Sequence, residues 1–384
     1  MQAARDRILD APLSSSRSGG IDALRGFLAL WVLLSHVVTW APVAQGEAAV
    51  PDLVRSCFKL LAWIFQPAGE THPAVLGFIV LSGYCIHRAG FRRSAGNAAG
   101  YGIRRGFRIY PVYLLASMVG ITASLFSSSV SPEAARAITG TAAIQPALIA
   151  GKLLGVSAFF PSLHASTFQG NAPLHTVMVE IWLYAAYPLL VFAFVRRFGS
   201  RALTFLLVGG LIAGVAAVGR SPAIQGWWHN GSLLGFLPYW WLGAALVDSD
   251  LVARLRRRAA PTILAWMLLS ALLVVLPAPS IFLVEARKLL FAVLVGLLIT
   301  SIDVPYAGRL SRAASLGRAG YSLYAFHAPV VYALLIAGSP WWVAVIAALA
   351  AGGVAFVGVE RPLDRLGRSR AARRDVTQAA AVPL

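Results

Sequence analysis

Charge and cysteine are what this chain has least of. Only 12% of its 384 residues are charged, about half the share of a typical soluble domain, and that excludes an ordinary soluble globular protein. Two cysteines, Cys57 and Cys85, are too few for a disulfide framework and have no metal-ligand spacing, so neither disulfides nor a metal are expected. Acidic residues number 15 against 33 basic ones, for a formal net charge of +18. In a soluble protein that excess would point to nucleic acid. Here the arginines stand in short clusters between apolar segments, which is the pattern of membrane topology, and nucleic acid is not an expected partner. A clear internal repeat, the mark of many transporters, is also missing.

What is present is apolar. Hydrophobic residues make up 58% of the chain, and mean hydropathy is +0.71. These values predict an all-α, polytopic membrane bundle with the lipid bilayer as its solvent. About ten transmembrane helices are expected, near 21–40, 74–87, 109–126, 174–195, 202–218, 232–247, 261–276, 286–302, 320–337 and 341–359. Apolar pieces near 53–67 and 148–160 are expected to be re-entrant or interfacial. Residues 1–20 are expected to form a basic, disordered lead, 21–360 the membrane domain, and 361–384 a basic, disordered tail. The APVA stretch permits a secretory signal cut after Ala44, but an apolar run starting near residue 21 and bearing a histidine favours an uncleaved first span. With ten spans and both termini cytoplasmic, most of the 33 basic residues fall inside; the exceptions are Arg55, Lys59, Arg136, Lys152, Arg220, Arg287 and Lys288. The positive-inside rule therefore supports that orientation. Tyr110, Tyr113, Tyr239, Trp240 and Trp241 fit an interfacial aromatic belt, and Gly77, Ser82 and Gly83 a close helix approach.

The first span, IDALRGFLALWVLLSHVVTW over 21–40, carries Arg25 and His36. Eleven residues at about 100° each return to within roughly 20° of the starting direction, so both side chains share one face, about 16 Å apart along the axis. Ionisable groups inside a membrane are costly and face a partner or a wet cavity. Arg25 would stand near the cytoplasmic surface and His36 in the outer half of the bilayer.

The segment DALRGFLALWVLLSH resembles the opening motif of the membrane-bound acyltransferase 3 family. Later stretches fall in that family's order: GFIVLSGY (77–84), RRGFRIYPVY (104–113), VEIWLYAAYP (179–188), AGYSLYAFHAPV (319–330) and VERPL (359–363). The resemblance covers nearly the whole chain. It departs where His175 stands for a tryptophan ahead of the glutamate and Ile181 for a second glutamate. It implies a multi-pass enzyme of the bacterial inner membrane that O-acylates sugars or other hydroxyl-bearing acceptors. The donor implied is cytoplasmic acyl-CoA, with acetyl-CoA expected.

The chemistry can be argued independently. An alcohol is a poor nucleophile until a base takes its proton, and histidine titrates near working pH. His36 is the candidate base. Glu180, whose depth in the fourth span matches His36, is the candidate to orient its ring, as a carboxylate does in a hydrolase triad. His327 is placed to orient the thioester or relay a proton. Arg104, Arg105 and Arg108, with Arg25, suit the donor's phosphates, because forked guanidinium donors match phosphate oxygens. Two rivals share these residues: a covalent acyl-histidine route, and a transporter or flippase in which His, Glu and Arg relay protons.

Overall fold

Backbone polar groups inside lipid must bond within their own segment, so apolar runs of this kind fold as helices. The computed structural model describes residues 18–65, 71–89, 98–139, 146–163, 171–219, 221–247, 249–277, 280–303 and 311–380, among which there is no strand. Helix α1 runs Gly19–Gln45, α2 Asp52–Phe65, α3 Pro73–Arg88 and α4 Ala98–Val130, followed by short α5 (Pro132–Thr139) and α6 (Pro146–Leu153). Helix α7 (Leu174–Leu189) passes through a π turn at Leu190–Val195 into α8 (Arg196–Val218). Then come α9 (Pro222–Asn230), α10 (Leu233–Ala245), α11 (Ser249–Arg257), α12 (Ala259–Val275), α13 (Ile281–Ile302), α14 (Ser311–Arg318) and α15 (Gly320–Ile336). Helix α16 (Trp341–Ala355) continues through a second π turn, Phe356–Glu360, into α17 (Arg361–Ala380).

Each expected span has a helix over it, with shifted ends. Fewer meet the length and apolarity that a lipid-exposed crossing needs. By that measure there are four helices among the described residues, at Gly19–Gln45, Ala98–Val130, Leu174–Val218 and Trp341–Arg374. A fifth arises if α11 and α12, bent by 65°, count as one span. Gly199, at φ 83° and ψ 161°, breaks the Leu174–Val218 run, a conformation that glycine adopts without steric cost. Helices α3, α10 and α15 are too short for that measure, but neighbours cover most of their surface. By contrast α8 and α12 expose Phe205, Leu206, Ile212, Leu264, Met267 and Leu268, as lipid-facing helices do.

At the centre α15 packs on α16, α1 and α4, while α3 packs on α10 and α1. The α3–α10 contact is backbone on backbone. A Cβ at Gly83 would sit 1.8 Å from the Trp240 carbonyl oxygen, and one at Gly243 would sit 1.9 Å from that of Val80. Small residues of this sort let membrane helices approach closely, as expected for Gly83.

Three expectations change. The lead expected over 1–20 lies outside the described residues up to residue 17, and α1 already begins at Gly19. The tail expected to be disordered is helical as α17 and lies along α4. Its low hydropathy hides a small-residue face: Ala371 is fully buried, Gly367 sits against Phe107, and Arg370 covers the Phe107 ring at 4.9 Å. The aromatic belt is also mostly core. Tyr113, Tyr239, Trp240 and Trp241 are fully buried, and only Tyr110 of the five is exposed. Their polar ends reach partners inside: Trp240 Nε1 donates to Ser82 Oγ at 3.2 Å, Trp241 Nε1 to Thr204 Oγ1 at 3.0 Å, and Tyr239 to Glu285.

Gly243→Ala drives a methyl into the Val80 carbonyl, and overpacking of this kind costs about 1–3 kcal/mol. A lower melting temperature in detergent is the expected result. Gly209→Ala, in a helix with nothing within 4 Å of its Cβ, should instead be neutral or gain up to about 1 kcal/mol.

Candidate functional site

Helix α1 runs past two cavities. The outer one, about 560 Å³, is lined by Trp31, Ser35, His36 and Thr39 of α1, by Phe58 and Lys59 of α2, and by His72 and Asn230. His36 Nδ1 lies 2.9 Å from His327 Nε2. The other nitrogen of the fully buried His327, Nδ1, is 3.1 Å from the Leu323 carbonyl oxygen and 2.9 Å from that of Tyr324. Carbonyl oxygens only accept, so His327 Nδ1 carries a hydrogen and Nε2 carries the lone pair. His36 Nδ1 must then donate, and the lone pair of the neutral His36 ring is on Nε2. Trp40 stacks on the ring at 4.3 Å and 8°, fixing its plane. The same reasoning applies to His72. Its Nδ1 accepts from the Ala74 amide at 3.2 Å, so Nε2 donates to Ser35 Oγ at 3.0 Å. Burial pushes the His72 pKa down to about 4, which keeps that imidazole neutral at ordinary pH.

The inner cavity, about 90 Å³, is lined by Arg25, Ser82, Cys85, Arg105, Arg108, Glu180, Tyr184 and Tyr324 among others. Glu180 Oε1 accepts from Ser82 Oγ at 2.5 Å and from the Tyr184 hydroxyl. Arg25 is paired with Asp22 at 2.8 Å and reaches Cys85 Sγ at 3.4 Å. Arg108 Nε lies 3.7 Å from Glu360 Oε1, while Ser322 Oγ donates to Glu360 Oε2 at 2.6 Å. Arg105 makes no ion pair among the described residues. Its guanidinium lies 5.8 Å from the Tyr101 ring centroid and 5.6 Å from that of Tyr184. Phe78 and Tyr324 also line this cavity and meet edge-on at 5.2 Å, with Tyr324 5.9 Å from the His327 ring.

The expected pairing of Glu180 with His36 is therefore not what forms: His327 occupies the His36 nitrogen, and Glu180 belongs with Arg25 and Arg105. Counting depth from the start of α7 fails because that start is buried within the helix bundle. Just ahead of it, fully buried Asn171 donates to the Ala116 and Ala325 carbonyl oxygens at 3.2 and 2.8 Å, deep between α4 and α15. Residues 146–163 also dock on protein, with the Trp182 indole donating to the Gly155 oxygen at 2.9 Å and that of Trp227 to the Ser157 oxygen at 3.0 Å. His72 stands level with Ser35, and Ser82, ten residues further along α3, lies about 15 Å below it. Glu180 is bonded at that lower level.

Arg25, Arg105 and Arg108 come together in the inner cavity, whereas Arg104 does not line it. Sequence reasoning missed Asp22, Ser322 and Glu360 as partners of these groups, and His72 and Lys59 beside His36. Some signals were there: Asp22 is three residues from Arg25, and Thr71-His72-Pro73 precedes an apolar run as a helix cap does. Ser322 and Glu360 lie 38 positions apart, and no spacing rule joins them.

Two cavities along one helix, one lined by His36 of the histidine dyad and the other by an arginine cluster, suit transfer between a charged donor and a hydroxyl. No curated protein and no solved structure matches the chain. The family model described as an acyltransferase domain matches residues 18–359, across α1 and both cavities, and the chain belongs to the acyltransferase 3 family.

Proposed function

We propose that this membrane acyltransferase moves an acyl group, acetyl being the expected one, from cytoplasmic acyl-CoA to a hydroxyl of a sugar or glycan. The setting would be a bacterial inner membrane, with ten crossings and both termini cytoplasmic. The observation that carries the reading is the His36–His327 bond, whose tautomers leave the His36 Nε2 lone pair unpartnered among the described residues, in a ring that lines the outer cavity.

In this scheme the acceptor hydroxyl gives its proton to His36 Nε2 as its oxygen attacks the thioester carbonyl carbon. The C–O bond forms, the tetrahedral intermediate collapses, the C–S bond breaks, and the departing thiolate takes the proton from His36. His327 is a positioning residue: it fixes the tautomer and plane of His36 and spreads the charge of the transient imidazolium through the shared hydrogen bond. Arg105 is the cation with no carboxylate partner and suits a donor phosphate. Arg25 and Arg108 are already engaged by Asp22 and Glu360, so they contribute less net charge to the same cavity than Arg105 does. Glu180 holds Ser82 and Tyr184 in place, and Tyr184 in turn lies under the Arg105 guanidinium. The relay reading of these groups, as in a proton-coupled transporter, gives way to transfer on family membership.

Membranes given radiolabelled acetyl-CoA should label glycan, and His36→Gln should lower the rate by about 10²–10⁴-fold. Labelling at the wild-type rate in that variant would remove His36 as the base. Acidification should slow the wild type as the base is protonated, along a single-proton limb. His327→Ala should shift that limb and lower kcat with little change in the KM for the donor, a pattern that loss of fold would not produce.

Arg105→Ala should raise the KM for acetyl-CoA by about tenfold, the scale of one lost charge-assisted contact, with kcat nearly unchanged. Arg104→Ala, outside the cavity, should leave both constants near wild type.

A further inference from the structure

The outer cavity holds more than the base. It is also lined by Lys59, the single formally charged side chain among its lining residues, and no carboxylate lines it. The helix that carries Lys59 supplies its own control. One turn earlier on α2, Arg55 is tied to both Glu47 and Asp52. Lys59 has no ion pair or hydrogen bond among the described residues, although it sits only four positions along. Around it are hydroxyls and imidazoles suited to a sugar: Ser35 and Thr39 from α1, and His72, which already donates to Ser35. Trp31 adds an aromatic wall against which the apolar face of a sugar ring can lie. An ammonium without an ion pair among the described residues, in a cavity lined by His36 and by no carboxylate, is a positive charge open to a negative one.

We propose that Lys59 is a specificity-determining residue that selects an anionic acceptor, a hydroxyl-bearing sugar with a carboxylate or phosphate on the same unit. The inference rests on the reading of the outer cavity as the acceptor site. Lys59 holds the anion while a neighbouring hydroxyl meets His36, so an acceptor lacking the anion loses both affinity and registration. The long stem of lysine leaves the ammonium free to meet either a planar carboxylate or a tetrahedral phosphate.

The test is calorimetric titration of the purified full-length protein in detergent with methyl glucoside, methyl glucuronide and glucose 1-phosphate, alongside transfer of label from acetyl-CoA to each. The wild type should bind at least one anionic probe about tenfold tighter than the neutral one, the scale of one charge-assisted contact. Lys59→Gln should erase that preference, Lys59→Arg should retain it, and Lys59→Glu should reverse it. Because Lys59 is exposed, these variants should keep the wild-type melting temperature. Which of the two anions is preferred tells a uronic acid from a sugar phosphate. Equal binding of all three probes, no binding of either anionic one, or a preference that survives in Lys59→Gln overturns the proposal. A Lys59-dependent preference without His36-dependent transfer leaves the anion site standing and defeats the acceptor-acylation reading instead.

Discussion

The bond between two histidines from helices distant in sequence is the constraint on which the site depends. A lone imidazole inside a membrane protein exchanges tautomers and tilts freely. Here the two carbonyl oxygens of α15, one turn back from His327, dictate which nitrogen of His327 carries hydrogen. That choice passes across a 2.9 Å contact to His36 and fixes which of its nitrogens remains basic. The information runs from helix backbone to side chain to side chain, and it needs no carboxylate. A carboxylate in that position would hold the imidazolium more tightly and make its proton harder to return. A neutral imidazole partner sets direction while leaving, in the proposed transfer, a base weak enough to give the proton back to the thiolate.

That arrangement needs α1 and α15 to keep their register, and the packing supplies it. Helix α15 is buried along most of its length between α1, α4 and α16. On the other side of α1, α3 is clamped to α10 at the Gly83–Gly243 contact. The clamp brings the Trp240 indole to Ser82 and so, through Glu180 and Tyr184, orders the ring beneath Arg105. Helix α3 also places His72 at its outer end against Ser35. One rigid helix pair thus positions polar groups in both cavities, about 15 Å apart along the axis. A shift of α3 would be felt in both cavities together.

Much of this was legible in the sequence where local rules apply. The apolar runs located the helices, and eleven-residue spacing put Arg25 and His36 on one side of α1, where each now lines a cavity. What was not legible depended on contacts between segments far apart. Glu180 was placed by counting from the start of its helix, which works only when a helix starts at the membrane surface. Asn171, bonded to the Ala116 and Ala325 carbonyl oxygens, shows that α7 starts among other helices rather than at an end of the bundle. Tyr239, Trp240 and Trp241 have the composition of an interfacial belt, but composition does not say whether a helix end meets water or protein. The tail is polar on average, and an average hides the narrow face of Gly367 and Ala371 that meets α4.

Opposite charge economy at the two ends of α1 follows from the same scarcity of acid that marks the composition. With 15 acidic residues against 33 basic ones, carboxylates cannot pair one to one with the cations, and where they do occur they matter. Asp22, Glu360 and Asp303 take up Arg25, Arg108 and Arg88, and Glu47 and Asp52 take up Arg55. The cations left over in the cavities are Arg105 inside and Lys59 outside. Arg105 shares its cavity with Glu180 but makes no ion pair with it, whereas the cavity of Lys59 has no carboxylate in its lining. Lys59 is exposed and Arg105 half-buried, so neither charge carries the full cost of burial, and both stay open to a counter-charge that arrives with a ligand.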